Sequence, residues 1–167
     1  MGKTWRARAA LAAAGLAMAA GVLAGCSSGH YVAPAPTRAR AYADVDACLL
    51  TGPGGVADPA AAPVWAGMED VSATGQVRTS YLAVPAPATP ASVASHLGSL
   101  VVSKCDLIIA VGAAERAAVL AQAREFPSVH FLVLGPAAGI PANVDALSFA
   151  TSGTRAAVAS AVRTLAG

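Results

Sequence analysis

KCDLIIAVG, residues 104–112, sets a cysteine and an aspartate against five apolar residues and closes on a glycine. A continuous apolar run of this length, bounded by turn formers, reads as a strand buried on both faces. Working outward, VHFLVL (129–134) is a second such run closed by Gly135, and DACLLT (46–51) a third that ends at the turn cluster GPGG. Residues 76–84 follow Gly75 and are rich in Val, Thr and Tyr, and residues 144–149 form a weaker fifth candidate.

Helical patterns separate these runs. Thr89 and Pro90 supply an N-cap and a first-turn proline, after which Val93, Leu97, Leu100 and Val101 fall on one stripe. Residues 115–126 are dense in good helix formers and stop at Pro127, while 63–71 and 154–165 complete the alternation. Strand and helix in turn predict an α/β fold: a single three-layer α/β/α lobe with a five-stranded parallel sheet, because parallel neighbours need crossovers long enough to hold a helix. The expected strand order is 2-1-3-4-5. In such a sheet a ligand sits beyond the carboxyl ends of strands 1 and 3, where the crossovers change direction. That directs attention to residues 52–59 and 112–115, with Thr51, Gly54, Gly55, Asp58, Gly112 and Glu115 as candidate ligand-side residues.

The first residues carry a different message. Lys3, Arg6 and Arg8 precede an uncharged apolar stretch from Ala9 to Leu23, and LAGC follows at 23–26. This is the order of an export signal, and the stretch is shorter than the roughly 20 residues a spanning helix needs. LAGC resembles the lipobox of bacterial lipoproteins, which implies cleavage before Cys26 and lipidation of Cys26, a diacylglyceryl group on its sulfur with palmitate among the acyl chains; ordinary secretion with a free or buried Cys26 is the rival. The expected organisation is a signal peptide at 1–25, a Ser/Pro/Ala-rich tether at 26–43 and one folded domain at 44–167. The whole chain has a net charge of +2, but the signal holds three cations and no acid, so the remainder stands at −1. Nucleic acid therefore has no electrostatic basis as a partner. The expected location is extracytoplasmic, at the cell membrane, through lipid on Cys26.

ACLLTGPGGVADPAAAPVWAGM (47–68) followed by CDLIIAVGAAERAAVLAQAREFPSVHFLVLG (105–135) resembles the amino-terminal lobe of the basic membrane protein family. These are lipid-anchored solute-binding proteins of ABC importers, several of which bind purine nucleosides. The resemblance runs over about residues 46–165 and implies a periplasmic-binding-protein type I-like lobe, an ABC permease as partner and a small polar, nucleoside-like solute. Asp58 stands where the family has a loop aspartate. Ala60 and Ala61 stand where it has a phenylalanine and an asparagine that grip the nucleoside, so stacking and amide hydrogen bonds are both lost. The chain also ends about where a second lobe would begin, which leaves an open shelf in place of an enclosed pocket.

Two readings of function follow. One is a solute-binding-protein-like lipoprotein of an ABC importer with a degenerate ligand site. The other is an interaction lipoprotein whose lobe binds a protein partner or a second copy. His30, His96 and His130 lie in separate segments without a second ligand at helical spacing, so neither a metal nor another cofactor is expected. No nucleophile elbow, phosphate loop or dinucleotide fingerprint is present, which argues against an enzyme. Cys48 and Cys105 fall on strands expected to be neighbours; an exported protein makes a disulfide natural there, and two buried thiols are the open alternative.

Overall fold

The computed structural model describes residues 45–75, 77–136, 139–148 and 153–166. The signal peptide, Cys26 and the tether lie outside the described residues, as does Gln76, where the second strand was expected to begin.

Five strands form one parallel sheet: β1 (Asp46–Thr51), β2 (Arg78–Ala83), β3 (Leu107–Val111), β4 (His130–Leu134) and β5 (Val144–Leu147). Their order is β2-β1-β3-β4-β5, with every neighbour parallel. Three helices cross between strands, α1 (Ala62–Ser72), α2 (Pro90–Val102) and α3 (Ala113–Gln122), and α4 (Thr154–Ala166) follows β5. The expected three-layer lobe is therefore the observed one.

The central strands are apolar on both faces because both faces are covered. Alternate residues divide between two cores. Cys48, Leu50, Ile108, Ala110, Phe131 and Val133 pack under Val93 and Leu97 of α2 and Val119 of α3. Ala47, Leu49, Leu107, Ile109 and Leu132 pack under Val64 and Met68 of α1 and Val158 and Val162 of α4. All five residues of β3 are buried, whereas β2, at the sheet edge, is exposed or half-buried throughout.

Local chemistry sets the helix ends. Thr89 and Ser92 make a reciprocal capping box at the start of α2, Ser92 N–H donating to Thr89 Oγ1 at 3.2 Å and Thr89 N–H to Ser92 Oγ at 3.0 Å. At its far end Lys104 adopts a left-handed φ of 62°, Lys104 N–H donates to Val101 O and Cys105 N–H to Leu100 O. This is a Schellman termination, and it turns the chain directly into β3. Asp106 accepts Asp46 N–H at 2.8 Å and ties the amino ends of β1 and β3 together.

Several boundaries move. The helix expected over 115–126 begins at Ala113 and ends at Gln122, giving way to a 3-10 turn at Ala123–Glu125. Cys105 precedes β3, and Cys48 lies opposite Ile108, three residues further along. The two are joined in a disulfide with Cα atoms 5.9 Å apart, both buried beneath α2. Bonding thus runs diagonally, from β1 to the turn that leads into β3.

α1 and α4 meet at Gly67, where a Cβ would lie 2.5 Å from Arg155 O, and close approach of the two backbones depends on that glycine. Asp70 of α1 and Arg155 of α4 add a bidentate pair at 2.7 and 2.6 Å. A second bidentate pair joins Arg78 of β2 to Asp46 of β1, both contacts at 2.7 Å.

Candidate functional site

The crossovers leave β1 toward β2 and β3 toward β4, so their carboxyl ends open a crevice at the centre of the sheet. The candidate residues fall into two groups there. In the first, the loop after β1 folds on itself through a 3-10 turn at Gly55–Ala57. Thr51 is 1% exposed, and its hydroxyl is directed at Gly55 O, 3.4 Å away. Gly55 has a φ of 57°, a conformation that glycine adopts without penalty. Asp58 accepts the Ala60 N–H at 2.8 Å, and its carbonyl receives the amides of Ala61 and Ala62, which launches α1. A Cβ at Gly54 would press on Asp58 at 3.1 Å. Asp58 therefore holds a turn, with one carboxylate oxygen committed to backbone. Ala61 is fully buried and Ala60 packs against the same core, so this segment is built into the domain interior.

The second group is centred on Glu115. It occupies the first turn of α3, and it is 3% exposed although its side chain ends in a carboxyl group. Its carboxylate lies between the two loops: a Cβ at Gly52 would sit 3.7 Å from Oε1, and one at Gly112 would overlap Oε2. Gly112 also has a φ of 123°, so both the backbone turn and the carboxylate require glycine there. Among the described residues no hydrogen bond or ion pair engages the Glu115 carboxylate. The next residue, Arg116, turns the other way. Its Nη2 donates to Pro136 O at 2.7 Å, and Gly135, with φ 135°, makes room for its Nε at 3.2 Å from where a Cβ would stand.

Glu115 was a candidate by its place on the loop after β3; its burial between two glycines has no one-dimensional signal beyond the glycines themselves. Trp65 is half-buried and packs edge-to-face on Tyr81, ring centres 5.4 Å apart. Tyr81 remains 50% exposed on the edge strand. Asn143 had no motif to mark it, yet its Nδ2 donates to the carbonyls of Ala123, Phe126 and Val129 at 2.9 to 3.1 Å.

Away from the crevice, an open groove of about 390 Å³ lies between α2 and β2, lined by Ser80, Leu82, Ser99, Ser103 and the disulfide. Ser80 donates to Cys48 Sγ at 3.3 Å. Among the described residues no group of three His, Cys, Asp or Glu is placed to hold a metal ion, and no helix is long and apolar enough to cross a membrane.

No family model and no curated protein matches the chain. Solved structures do. A protein from Peptoclostridium difficile 630 described as a lipoprotein (fragment) superposes with a TM-score of 0.63 at 14% identity, over 74% of this chain and 99% of that one. An ABC transporter solute-binding protein from Aeropyrum pernix K1 gives 0.52 at 20% identity, and one from Conexibacter woesei DSM 14684 gives 0.50 at 25%. Each of these covers 61% of this chain, while this chain spans 28% and 34% of their respective lengths. At such identities the likeness is one of fold: the chain is similar to a single α/β lobe of ABC transporter solute-binding proteins.

Proposed function

We propose that the protein is exported, anchored by lipid on Cys26, and works outside the cytoplasm as a solute-binding-protein-like lobe that presents a small polar solute to an ABC importer. The observation that carries this reading is the crevice at the carboxyl ends of β1 and β3, where Gly52 and Gly112 leave room for one buried polar group between two backbone loops. Sheets of this order bind ligands there, and a backbone-lined crevice suits a small polar solute. The finer assignment, to the basic membrane protein family, belongs to the same proposal and rests on the quoted motifs. Asp58, Gly54 and Gly55 shape the loop in this reading, while Thr51 closes it from within.

The test is the melting temperature of the purified protein against nucleosides, amino acids, sugars and amines, since a ligand that binds only the folded state raises it. A saturable rise with at least one class is expected. Labelled palmitate should enter the wild type and not Cys26→Ser.

One observation favours a second reading, an interaction lipoprotein. Tyr81, half exposed on the edge strand and braced by Trp65, is an aromatic anchor on a strand whose outer side no described strand covers, a surface suited to a protein partner or a second copy. A flat melting profile across the panel, together with concentration-dependent association that Tyr81→Ala abolishes, would replace the transport reading with this one.

A further inference from the structure

We propose that the Glu115 carboxylate is the recognition group for a primary ammonium of the bound solute; this rests on the solute-binding reading of the crevice and assigns it a ligand class.

A glutamate in the first turn of a helix is ordinarily either solvated or bonded back to the N-cap amide. Glu115 is neither. It is 97% removed from solvent by its 3% exposure, and no described residue bonds its oxygens. The oxygens are nevertheless not sealed. The one fully enclosed, unpartnered side-chain nitrogen or oxygen among the described residues is Arg116 Nε, so each Glu115 oxygen keeps a small accessible area. Glycine on both sides, Gly52 and Gly112, means that no side chain of either residue covers them.

A buried carboxylate without a counter-charge is costly, and the nearest cation in sequence is held elsewhere: Arg116 is engaged with Pro136 O beside Gly135. Among the described residues no cation answers the carboxylate, and a solute entering the crevice can supply one. Its chemistry is constrained by the setting of the two oxygens: Oε2 fills the space beside Gly112 that a Cβ would take, while Oε1 lies 3.7 Å from where a Gly52 Cβ would stand and 3.8 Å from where a Gly112 Cβ would. A guanidinium fork needs both oxygens open side by side, whereas an ammonium is compact and carries three donors around one charge. A hydroxyl would leave the charge uncompensated. Anions are excluded on the same ground: the amino end of α3 would otherwise attract them, but its own carboxylate already faces that end.

The experiment is an amide NMR titration of the full-length protein with n-butylammonium, and with n-butanol and butyrate as isosteric controls. Signals of Gly52 and of residues 112–115 should move saturably with n-butylammonium alone. Glu115→Gln should keep a dispersed spectrum and bind about thirtyfold more weakly, as loss of one partner of a buried charge pair requires. Equal affinity in wild type and Glu115→Gln would overturn the proposal. Movement of the same amides by butanol or butyrate as strongly as by the amine would overturn the ammonium class while leaving a solute site in the crevice. No movement with any probe would overturn it as well, and the melting panel then decides separately whether a solute binds at all. Should Glu115→Gln fail to fold, the contrast between amine and controls on the wild type is itself decisive.

Discussion

Replacing Gly67 by alanine tests the contact that sets the distance between α1 and α4. The new methyl would stand 2.5 Å from Arg155 O, 3.2 Å from Val158 Cβ and 3.3 Å from Ala159 N. Comfortable separations are about 3.5 to 4.0 Å, so the helices must part by roughly 1 Å. Two of the three obstacles are backbone atoms, which no rotamer change can move aside. Overpacking of this kind costs about 1–3 kcal/mol, against a helix-propensity gain of about 1 kcal/mol for alanine over glycine. With fixed backbone in the way the cost falls toward its upper end, and the expected net loss is about 1–2 kcal/mol. Displacing Arg155 also pulls it from Asp70. In urea denaturation the midpoint should fall with an unchanged slope. A midpoint equal to or above that of wild type would refute the reasoning, since propensity would then outweigh the contact.

Opening the Cys48–Cys105 loop, 57 residues apart in sequence, by Cys48→Ala with Cys105→Ala should remove about 4 kcal/mol on the chain-entropy model, and the denatured, unreduced wild type should show no titratable thiol at either position. Asn143→Ala leaves the carbonyls of Ala123, Phe126 and Val129 without their shared donor and should cost about 1–3 kcal/mol, read as a lower thermal midpoint that Asn143→Asp, lacking the NH2, does not restore. Hydrogen bonding from Arg78 lowers the Asp46 pKa below its ordinary 3.8, and Arg155 does the same for Asp70. Both contributions are complete above pH 3.8 and are lost as the pH falls through the lower folded-state values. The penalty of Arg78→Ala, measured by urea midpoints, should thus be present at neutral pH and vanish in acid; a penalty independent of pH would assign it to packing.

How much of this was legible in one dimension depends on the range of the forces involved. Leu107 to Val111 declared a buried strand because five successive apolar side chains point to both faces and must be covered on both. Thr89-Pro90 announced the start of α2 because capping is a contact between residues three apart. Alternation of strand and helix then led to a parallel sheet through the geometry of crossovers, and the position of the crevice followed from its order. Boundaries slipped where competing local bonds intervene, as at Cys105 and Asp106, where a Schellman turn occupies residues that look like the head of a strand.

Composition and pattern by themselves determined the class of fold, the order of its elements and the loops on which a ligand site would lie, because these depend on periodicity and on contacts between near neighbours. Tertiary structure alone decided what those loops contain. Asp58 spends its carboxylate on the turn that starts α1, Ala61 is drawn into the core, and Gly52, 63 residues from Glu115, is brought against it by the pairing of β1 with β3. A glutamate in a first helical turn looks solvated in sequence; packing of two distant glycine loops around it is what leaves its carboxylate buried, with no partner among the described residues.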